Sequence, residues 1–273
     1  MTTLIDVGRQ RFADTWALQR ELHDAVARGE ERATWIVVEH EPVVTLGRNA
    51  KKEHLLLSKE LLAARGVDCF EIERGGDVTY HGPGQLVVYP IVRLERFREV
   101  VPVVSAMEAA AIATCAHYGL EATRWEKHRG VYVGENQICA IGISVRQMTT
   151  MHGLAFNVST ALDYDRLITP CGISERGVTS LERELGREVD FEETKRVLLD
   201  SLAREFDVTL SEFDVTLSEF DVTLSEFDVT LSEFDVTLSE GAKRRSRSAN
   251  GSPSPVPAST ALAYARSAQR DKS

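Results

Sequence analysis

The sequence predicts an α+β fold: a mixed, largely antiparallel sheet with flanking helices. Short segments rich in Val, Ile and Thr outnumber the helical segments, and several follow one another across tight turns, as in β-hairpins. The helical segments are amphipathic or rich in Ala, so each needs a sheet against which to bury its apolar face. Together these observations favour antiparallel pairing over a doubly wound parallel sheet.

Helix boundaries are well marked in the first half of the chain. Apolar residues recur at helical spacing from Phe12 and the pattern stops before Gly29, which predicts a first helix. Ser58 as an N-cap and Gly66 as a stop predict a short helix over residues 58–65. Apolar and β-branched runs predict strands over residues 35–38, 43–46, 68–73 and 85–92.

The second half begins with an Ala-rich helix, predicted over residues 105–118 and closed by Gly119. The turn sequence GEN at residues 134–136 joins two strand-like runs, 130–133 and 137–145, and therefore predicts a hairpin. We also expect a strand over residues 149–158 and a last helix over residues 192–205.

Charge is concentrated towards the C-terminus. The chain has 32 Lys and Arg against 42 Asp and Glu, a net charge of −10. The heptad EFDVTLS occurs five times in tandem over residues 205–239, and its acidic residues alone equal the net charge. A basic tail rich in Ser, Pro and Ala follows over residues 240–273, and its composition predicts disorder. We interpret the repeat as a tandem expansion of an ordinary terminal segment, with an assembly element as the alternative.

Several classes of protein are disfavoured by composition. Four cysteines at wide spacing, without a CxxC pair, indicate reduced thiols. The N-terminus lacks the pattern of a secretory signal, and the longest unbroken apolar run, residues 86–92, is too short for a membrane span. We therefore expect a cytoplasmic protein with neither a membrane nor a nucleic acid as partner. Nucleotide-loop and zinc motifs are missing from the sequence, so we expect no cofactor and no metal.

Three segments carry the residues that point to a site. RGGDVTYHGPGQ (residues 74–85) holds four glycines and a proline in 12 residues, which predicts a loop whose backbone can approach a ligand closely. QICAIG (137–142) and MHGLAFN (151–157) form the second segment. The third, ITPCGI (168–173), sets Cys171 between Pro and Gly. Because a thiolate is the strongest nucleophile in this set, Cys171 is a candidate nucleophile.

These segments, together with GRNAKKEHLL from Gly47 onward, closely resemble the lipoyl (octanoyl) transferase family of the biotin/lipoate protein ligase superfamily. The resemblance covers residues 1–210 and includes the run LITPCGISERGVTSLERELG. It implies a biotin/lipoate ligase-like catalytic domain over residues 1–210. The implied reaction moves an octanoyl group from octanoyl-acyl carrier protein to a lysine of a lipoyl domain through a cysteine thioester, as the first step of endogenous lipoate synthesis. The implied acceptors are the lipoyl domains of 2-oxoacid dehydrogenase complexes and the glycine cleavage H protein.

Carried over residue by residue, the resemblance makes Cys171 the nucleophile that takes the acyl group. Small and apolar residues suit the octanoyl chain, because each buried CH₂ contributes about 0.8 kcal/mol. The implied substrate-binding residues are Arg74, Gly75, Gly76, Asp77, Val78, Thr79, Tyr80, His81, Ala140, Ile141, Gly142, Gly153, Leu154 and Ala155.

One position departs from the family pattern. The family has a lysine immediately before the Ile-Cys-Ala-Ile-Gly strand, where it is thought to lower the cysteine pKa and to carry protons, and this sequence has Gln137 there. An amide neither accepts a proton nor carries a positive charge near neutral pH. The candidate replacements are Lys127, His128, His81 and His152. Two other functions stay open: an impaired or non-catalytic paralogue that binds acyl groups or lipoyl domains, and an ATP-dependent lipoate ligase that would leave Cys171 idle.

Overall fold

The computed structural model describes residues 1–125, 128–163, 167–168 and 177–213. These residues belong to one unit, Met1–Val215. Cys171, Lys127, the EFDVTLS copies beyond residue 213 and the basic tail lie outside the described residues. The predictions made for them, and the domain boundaries at residues 205–239 and 240–273, therefore stay predictions.

The described strands form two sheets. The strands are β1 (Thr2–Gln10), β2 (Thr34–His40), β3 (Val43–Leu46), β4 (Asp68–Glu71), β5 (Val78–His81), β6 (Gln85–Ile91), β7 (Ala122–Trp125), β8 (His128–Val133), β9 (Asn136–Arg146), β10 (Thr149–Asn157) and β11 (Leu210–Phe213). The large sheet has the order β11-β1-β2-β6-β10-β9-β8-β7, and the small sheet has the order β4-β3-β5. All pairs from β2 to β7 in the large sheet are antiparallel, whereas β1 runs parallel to β2 and β11. The predicted mixed, largely antiparallel sheet is confirmed.

The described α-helices are α1 (Phe12–Arg28), α2 (Lys59–Ala63), α3 (Val100–His117), α4 (Leu181–Leu185) and α5 (Phe191–Glu205). Helix α1 ends at Gly29, whose φ of +74° suits the left-handed C-cap that the sequence predicts. At the start of α2, the Ser58 side chain accepts a hydrogen bond from the backbone N–H of Leu61 at 3.4 Å. Asp190 caps α5 in the same way, through the backbone N–H of Glu193.

Helices α3 and α5 pack on the large sheet to form the main core. This core includes Trp35 and Val37 of β2 and Val88 of β6. Because successive side chains of a strand face opposite sides, His40 and Tyr89 project to the other face. There the ring of His40 lies 5.4 Å from that of Phe12 at the start of α1. The space between this face, α1 and the small sheet holds the candidate site.

Several elements begin where the sequence does not predict them. Strand β1 precedes the first helix, β5 lies within the segment predicted as a loop, and β7, α4 and β11 are additional. Helix α3 begins at Val100, five residues before the predicted start. The run VVPVV is a poor helix former, but Pro102 lies in the first turn, where a missing N–H breaks no intrahelical hydrogen bond. Val104 in this added turn is buried, whereas Val101 is exposed.

One stretch of the described residues, Phe97–His117, is long and apolar enough by composition to cross a membrane. It comprises α3 and the 3₁₀ turn before it. Met107, Ala110, Ala111 and Cys115 on this helix are fully buried in the main core. The apolar composition therefore has an explanation in the packing of α3 under the sheet.

Candidate active site

A cavity of about 490 Å³ opens between the two sheets. Twelve of the fourteen predicted substrate-binding residues line it: Arg74, Gly75, Gly76, Asp77, Thr79, His81, Ala140, Ile141, Gly142, Gly153, Leu154 and Ala155. Val78 and Tyr80 do not line it, because β5 is a strand and alternate side chains point to its other side. There they pack with Ile168 beneath the small sheet.

The loop that closes one side of the cavity is held by Arg74. Its buried guanidinium donates hydrogen bonds to the carbonyl of Thr45 (Nη2, 2.7 Å) and to the Thr45 hydroxyl (Nε, 3.1 Å). The backbone N–H of Gly75 donates to the carbonyl of Ile143 at 2.9 Å and so joins the loop to β9. Gly47 allows this close packing, since a Cβ there would lie 2.5 Å from the carbonyl oxygen of Gly76. The glycines of the GRN and RGG motifs thus have a steric reason.

The strands that floor the cavity also require glycine. A Cβ at Gly142 would lie 2.9 Å from the carbonyl oxygen of Gly75. A Cβ at Gly153, which pairs with Gly142 across β9 and β10, would overlap the carbonyl oxygen of Val88. Side chains at these positions would fill the space beside the loop or push the strands apart. The two glycines therefore keep the cavity open.

Two buried histidines, His81 and His152, line the inner wall with Tyr89, and a third, His40, contacts Tyr89. His81 Nδ1 lies 2.7 Å from Gln85 Oε1, and His40 Nε2 lies 2.8 Å from the Tyr89 hydroxyl. Burial lowers the pKa of His40 to about 4 and that of His81 to about 3. Burial also lowers the pKa of His152, although Glu73 opposes the shift. At neutral pH this wall offers hydrogen-bonding groups without charge.

His152 reaches the cavity through an unusual backbone conformation. Its φ is +62°, whereas most strand residues are extended. Leu154 and Phe156 on the same strand belong to the main core beneath α3. His152 has the same parity, yet its ring lies 6.2 Å from that of Tyr89 on the cavity face. The left-handed conformation accounts for this reversal of the alternation.

The rim of the cavity carries exposed charged residues. Lys51, His128 and Arg129 line it and are exposed. Asp77, also a lining residue, accepts hydrogen bonds from the backbone N–H of Val78 at 2.8 Å and pairs with His54 Nδ1 at 2.6 Å. The cavity therefore runs from a charged, solvated opening to an inner wall of neutral histidines.

Gln137 lies on β9, buried behind this opening. Its Nε2 donates a hydrogen bond to the Tyr132 hydroxyl at 3.1 Å. Its backbone N–H donates to the carbonyl of Gly177, and its carbonyl accepts from the N–H of Thr179, both at 2.9 Å. On the other side of the opening, Leu55 forms a bridge with Ile168. Cys171 falls in sequence between these two attachments, outside the described residues.

The chain matches the family model "Lipoyl protein ligase A/B catalytic domain" over residues 11–203. The chain belongs to that family. It is 44% identical over 214 residues to an octanoyltransferase of Bacteroides thetaiotaomicron, which covers 74% of this chain and 94% of the relative. It is 43% identical over 204 residues to an octanoyltransferase of Koribacter versatilis, with 72% and 81% covered. These relatives make this member of the lipoyl protein ligase A/B family an acyltransferase, and they support octanoyl transfer in protein lipoylation.

Solved structures agree on the fold of the family. A lipoate-protein ligase A bound with ATP superposes with a TM-score of 0.65 at 17% identity, over 80% of this chain and 91% of that one. The bi-partite lipoate protein ligase of Thermoplasma acidophilum superposes with a TM-score of 0.64 at 16% identity, over 81% and 89%. The predicted biotin/lipoate ligase-like α+β domain is thereby confirmed.

Three cysteines of this family member lie within the described residues, and all are poor nucleophiles. Burial raises the pKa of Cys69, raises that of Cys115 to about 12, and raises that of Cys139 well above its usual value. Their thiols therefore stay protonated near neutral pH. The fourth cysteine of the sequence is Cys171.

Sequence reasoning missed part of the cavity wall. Phe12, Ile72, Tyr89 and Val104 line the cavity but lie in elements far apart in the chain. His40 was a usable signal for this wall, because it is a polar residue in the apolar strand TWIVVEH. Its hydrogen-bond partner Tyr89 lies in a similarly apolar strand. Among the described residues, no group of three or more Cys, His, Asp or Glu side chains is placed to hold a metal ion.

Proposed function

We propose that this enzyme transfers an octanoyl group from octanoyl-acyl carrier protein to a lysine of a lipoyl domain through a thioester on Cys171. This is the first step of endogenous lipoate synthesis. The observation that carries the proposal is the cavity between the sheets, lined by twelve of the residues that the resemblance assigns to the acyl pocket. The octanoyltransferase relatives add independent support for the acyl group.

The cavity suits a medium-length acyl chain. Ala140, Gly142, Gly153 and Ala155 leave room along the strands, and Phe12 with other buried residues closes the inner end. Burying the apolar carbons of an octanoyl chain contributes about 5 kcal/mol at about 0.8 kcal/mol for each CH₂. The interior histidines are neutral and so place no charge against an apolar ligand, and the buried guanidinium of Arg74 is engaged by Thr45.

Cys171 is the proposed nucleophile because the pKa values of the three other thiols, two buried and one half-buried, are raised. In the first step its thiolate attacks the carbonyl carbon of the donor thioester, a new C–S bond forms, and the carrier's sulfur leaves as a thiolate. In the second step the lysine amine attacks the carbonyl carbon of the Cys171 thioester, the C–N bond forms, the nitrogen gives up a proton to a base and the Cys171 sulfur leaves as a thiolate. The first step exchanges one thioester for another and is nearly isoenergetic.

The test is incubation with octanoyl-acyl carrier protein followed by mass spectrometry. We expect an octanoyl adduct on Cys171 and transfer of the group to a lysine of an added lipoyl domain. Cys171→Ser removes both, while Cys69→Ser, which changes a half-buried cysteine of the small sheet, retains them. Absence of the adduct and of transfer in the unsubstituted enzyme would refute the proposal.

Gln137 favours a second candidate, an impaired or non-catalytic protein that binds acyl groups or lipoyl domains. Gln137→Lys separates the two. An increase in turnover of 10² or more indicates that the natural protein is disabled, whereas little change indicates that another residue moves the proton. Formation of an adenylate from free lipoate and ATP would instead support the ligase.

A further inference from the structure

We propose that His128 is the catalytic proton carrier of this enzyme, in the role that the family resemblance assigns to a lysine at position 137. The inference rests on the proposed transfer reaction. It concerns the second step, in which the lysine amine of the lipoyl domain attacks the thioester. His128 lines the cavity at its exposed rim, where an incoming side chain has to pass.

A continuous path of contacts connects His128 with Gln137. The imidazole ring lies 4.8 Å from the ring of Trp125, and Trp125 meets the ring of Tyr132 edge-on at 5.8 Å. The Tyr132 hydroxyl in turn accepts the hydrogen bond from Gln137 Nε2 at 3.1 Å. Two aromatic rings therefore orient the histidine and connect it with the residue that replaces the lysine.

Gly130, on the same strand as His128, lies close to the end of the Gln137 side chain. A Cβ at Gly130 would lie 2.7 Å from Gln137 Nε2, so the end of that side chain rests against the backbone of β8. His128 is two residues from Gly130 on the same strand, a rise of about 7 Å. Position 128 is thus two residues along β8 from the point that the end of the position-137 side chain contacts.

The other basic groups of the cavity are less suited to accept a proton. His81, with a pKa of about 3, and His152, also buried with a lowered pKa, are weak bases. The remaining charged residues that line the cavity around His128 are Lys51, Arg74, Asp77 and Arg129. The guanidinium groups of Arg74 and Arg129 have no lone pair to accept a proton. Lys51 lies on the side of the small sheet, where its backbone N–H donates to Asp77, whereas positions 128 and 137 belong to neighbouring strands of the large sheet.

Two further charged groups lie near this region without entering the cavity. Glu108 of α3 pairs with Arg124 at 3.0 Å and with Arg129 at 3.6 Å. His54 is paired through Nδ1 with Asp77 and is not among the described lining residues. His128 is thus the histidine of the described residues that combines exposure at the rim with proximity to position 137.

In the proposed second step, the lysine of the lipoyl domain displaces the Cys171 sulfur. The neutral lysine amine forms the C–N bond with the carbonyl carbon of the thioester, and its surplus proton passes to the neutral imidazole of His128. The C–S bond breaks with its electron pair on sulfur, giving the Cys171 thiolate. The imidazolium then releases the proton to the thiolate or to water, which restores the enzyme. Without His128 the attack slows while the acyl-enzyme still forms.

The test measures the two steps separately in His128→Gln, His128→Gln with Gln137→Lys, and the control His117→Gln. His117 is half-exposed on α3, outside the cavity lining. In His128→Gln we expect the octanoyl adduct to accumulate on Cys171 and single-turnover transfer to a lipoyl domain to fall by about 10² or more. Adding Gln137→Lys restores transfer at least tenfold, and His117→Gln leaves both steps unchanged.

Two results would overturn the inference: transfer by His128→Gln within threefold of the unsubstituted rate, or a loss that Gln137→Lys does not restore. A merely structural role for His128 predicts the second result, because a lysine at position 137 cannot replace lost packing. If His128→Gln unfolds, judged by circular dichroism, His128→Asn is measured with the same criteria. Failure of the adduct to form in the unsubstituted enzyme would count against the proposed function instead.

Discussion

Two buried, neutral histidines, His81 of the cavity wall and His40 beside it, predict that the enzyme loses stability when the pH falls from 7 to 5. His40 and His81 have folded-state pKa values of about 4 and about 3, whereas an unfolded histidine has an ordinary pKa of about 6.5. Between these values the unfolded chain binds more protons than the folded one, so stability decreases as the pH falls. It is constant above about pH 6.5 as far as these two groups are concerned.

The magnitude follows from the same pKa values. At pH 5 both histidines remain mostly neutral in the fold, and protonation of each in the unfolded chain contributes about 2 kcal/mol against folding. The two together lower the free energy of unfolding by about 4 kcal/mol relative to pH 7. The result holds as long as each folded-state pKa lies well below 5. Burial of both histidines keeps it there.

The assay is urea denaturation of the reduced protein at pH 7 and at pH 5, for the natural sequence, His81→Asn and His117→Asn. The asparagine amide can keep the hydrogen bond to Gln85 but does not titrate. We expect His81→Asn to reduce the difference between the two pH values by about 2 kcal/mol. His117→Asn, at an exposed site, leaves it unchanged. An equal pH difference in His81→Asn and the natural protein would refute the reasoning.

Three further predictions concern close packing and thiol chemistry. Gly142→Ala should lower stability by about 1–3 kcal/mol and reduce octanoyl transfer, because its Cβ would displace the loop at Gly75; an unchanged melting temperature contradicts this. Gly130→Ala should cost a similar amount, since φ is +137° and the Cβ would lie 2.6 Å from the Cys139 carbonyl oxygen; melting curves and activity are the check. Cys115 and Cys139 should react with iodoacetamide at pH 8 only after unfolding, and rapid labelling of the native protein would show their burial to be wrong.

Local signals were sufficient where an element has marked ends. Phe12 and Gly29 bound α1 as predicted, and Ser58 caps α2. β1 was missed because Asp6 and Gly8 interrupt its apolar pattern; its pairing with β2 is a contact between distant segments. β5 was missed because four residues among glycines carry little pattern. In both cases the sheet, rather than local preference, decides the conformation.

The candidate site, like the fold, could be predicted only in part from the sequence. The family resemblance assigned residues such as Arg74 and Gly142 to the acyl pocket, and both line the cavity. The inner wall is different, since Phe12 and Tyr89 reach the cavity only through tertiary packing. Nor does sequence indicate that His81 is neutral, because its pKa depends on burial that appears only in the fold.

The backbone of His152 has a consequence for how this protein can be improved. A glycine at position 152 would adopt its φ of +62° without steric cost, whereas a non-glycine residue held in a sparsely populated region costs of order 1–3 kcal/mol. A search for stability alone would therefore favour removing this side chain. Glycine would also remove an imidazole from the cavity lining. Position 152 is thus one where relief of backbone strain competes with the loss of a buried side chain from the cavity lining, so stabilising substitutions are better placed elsewhere.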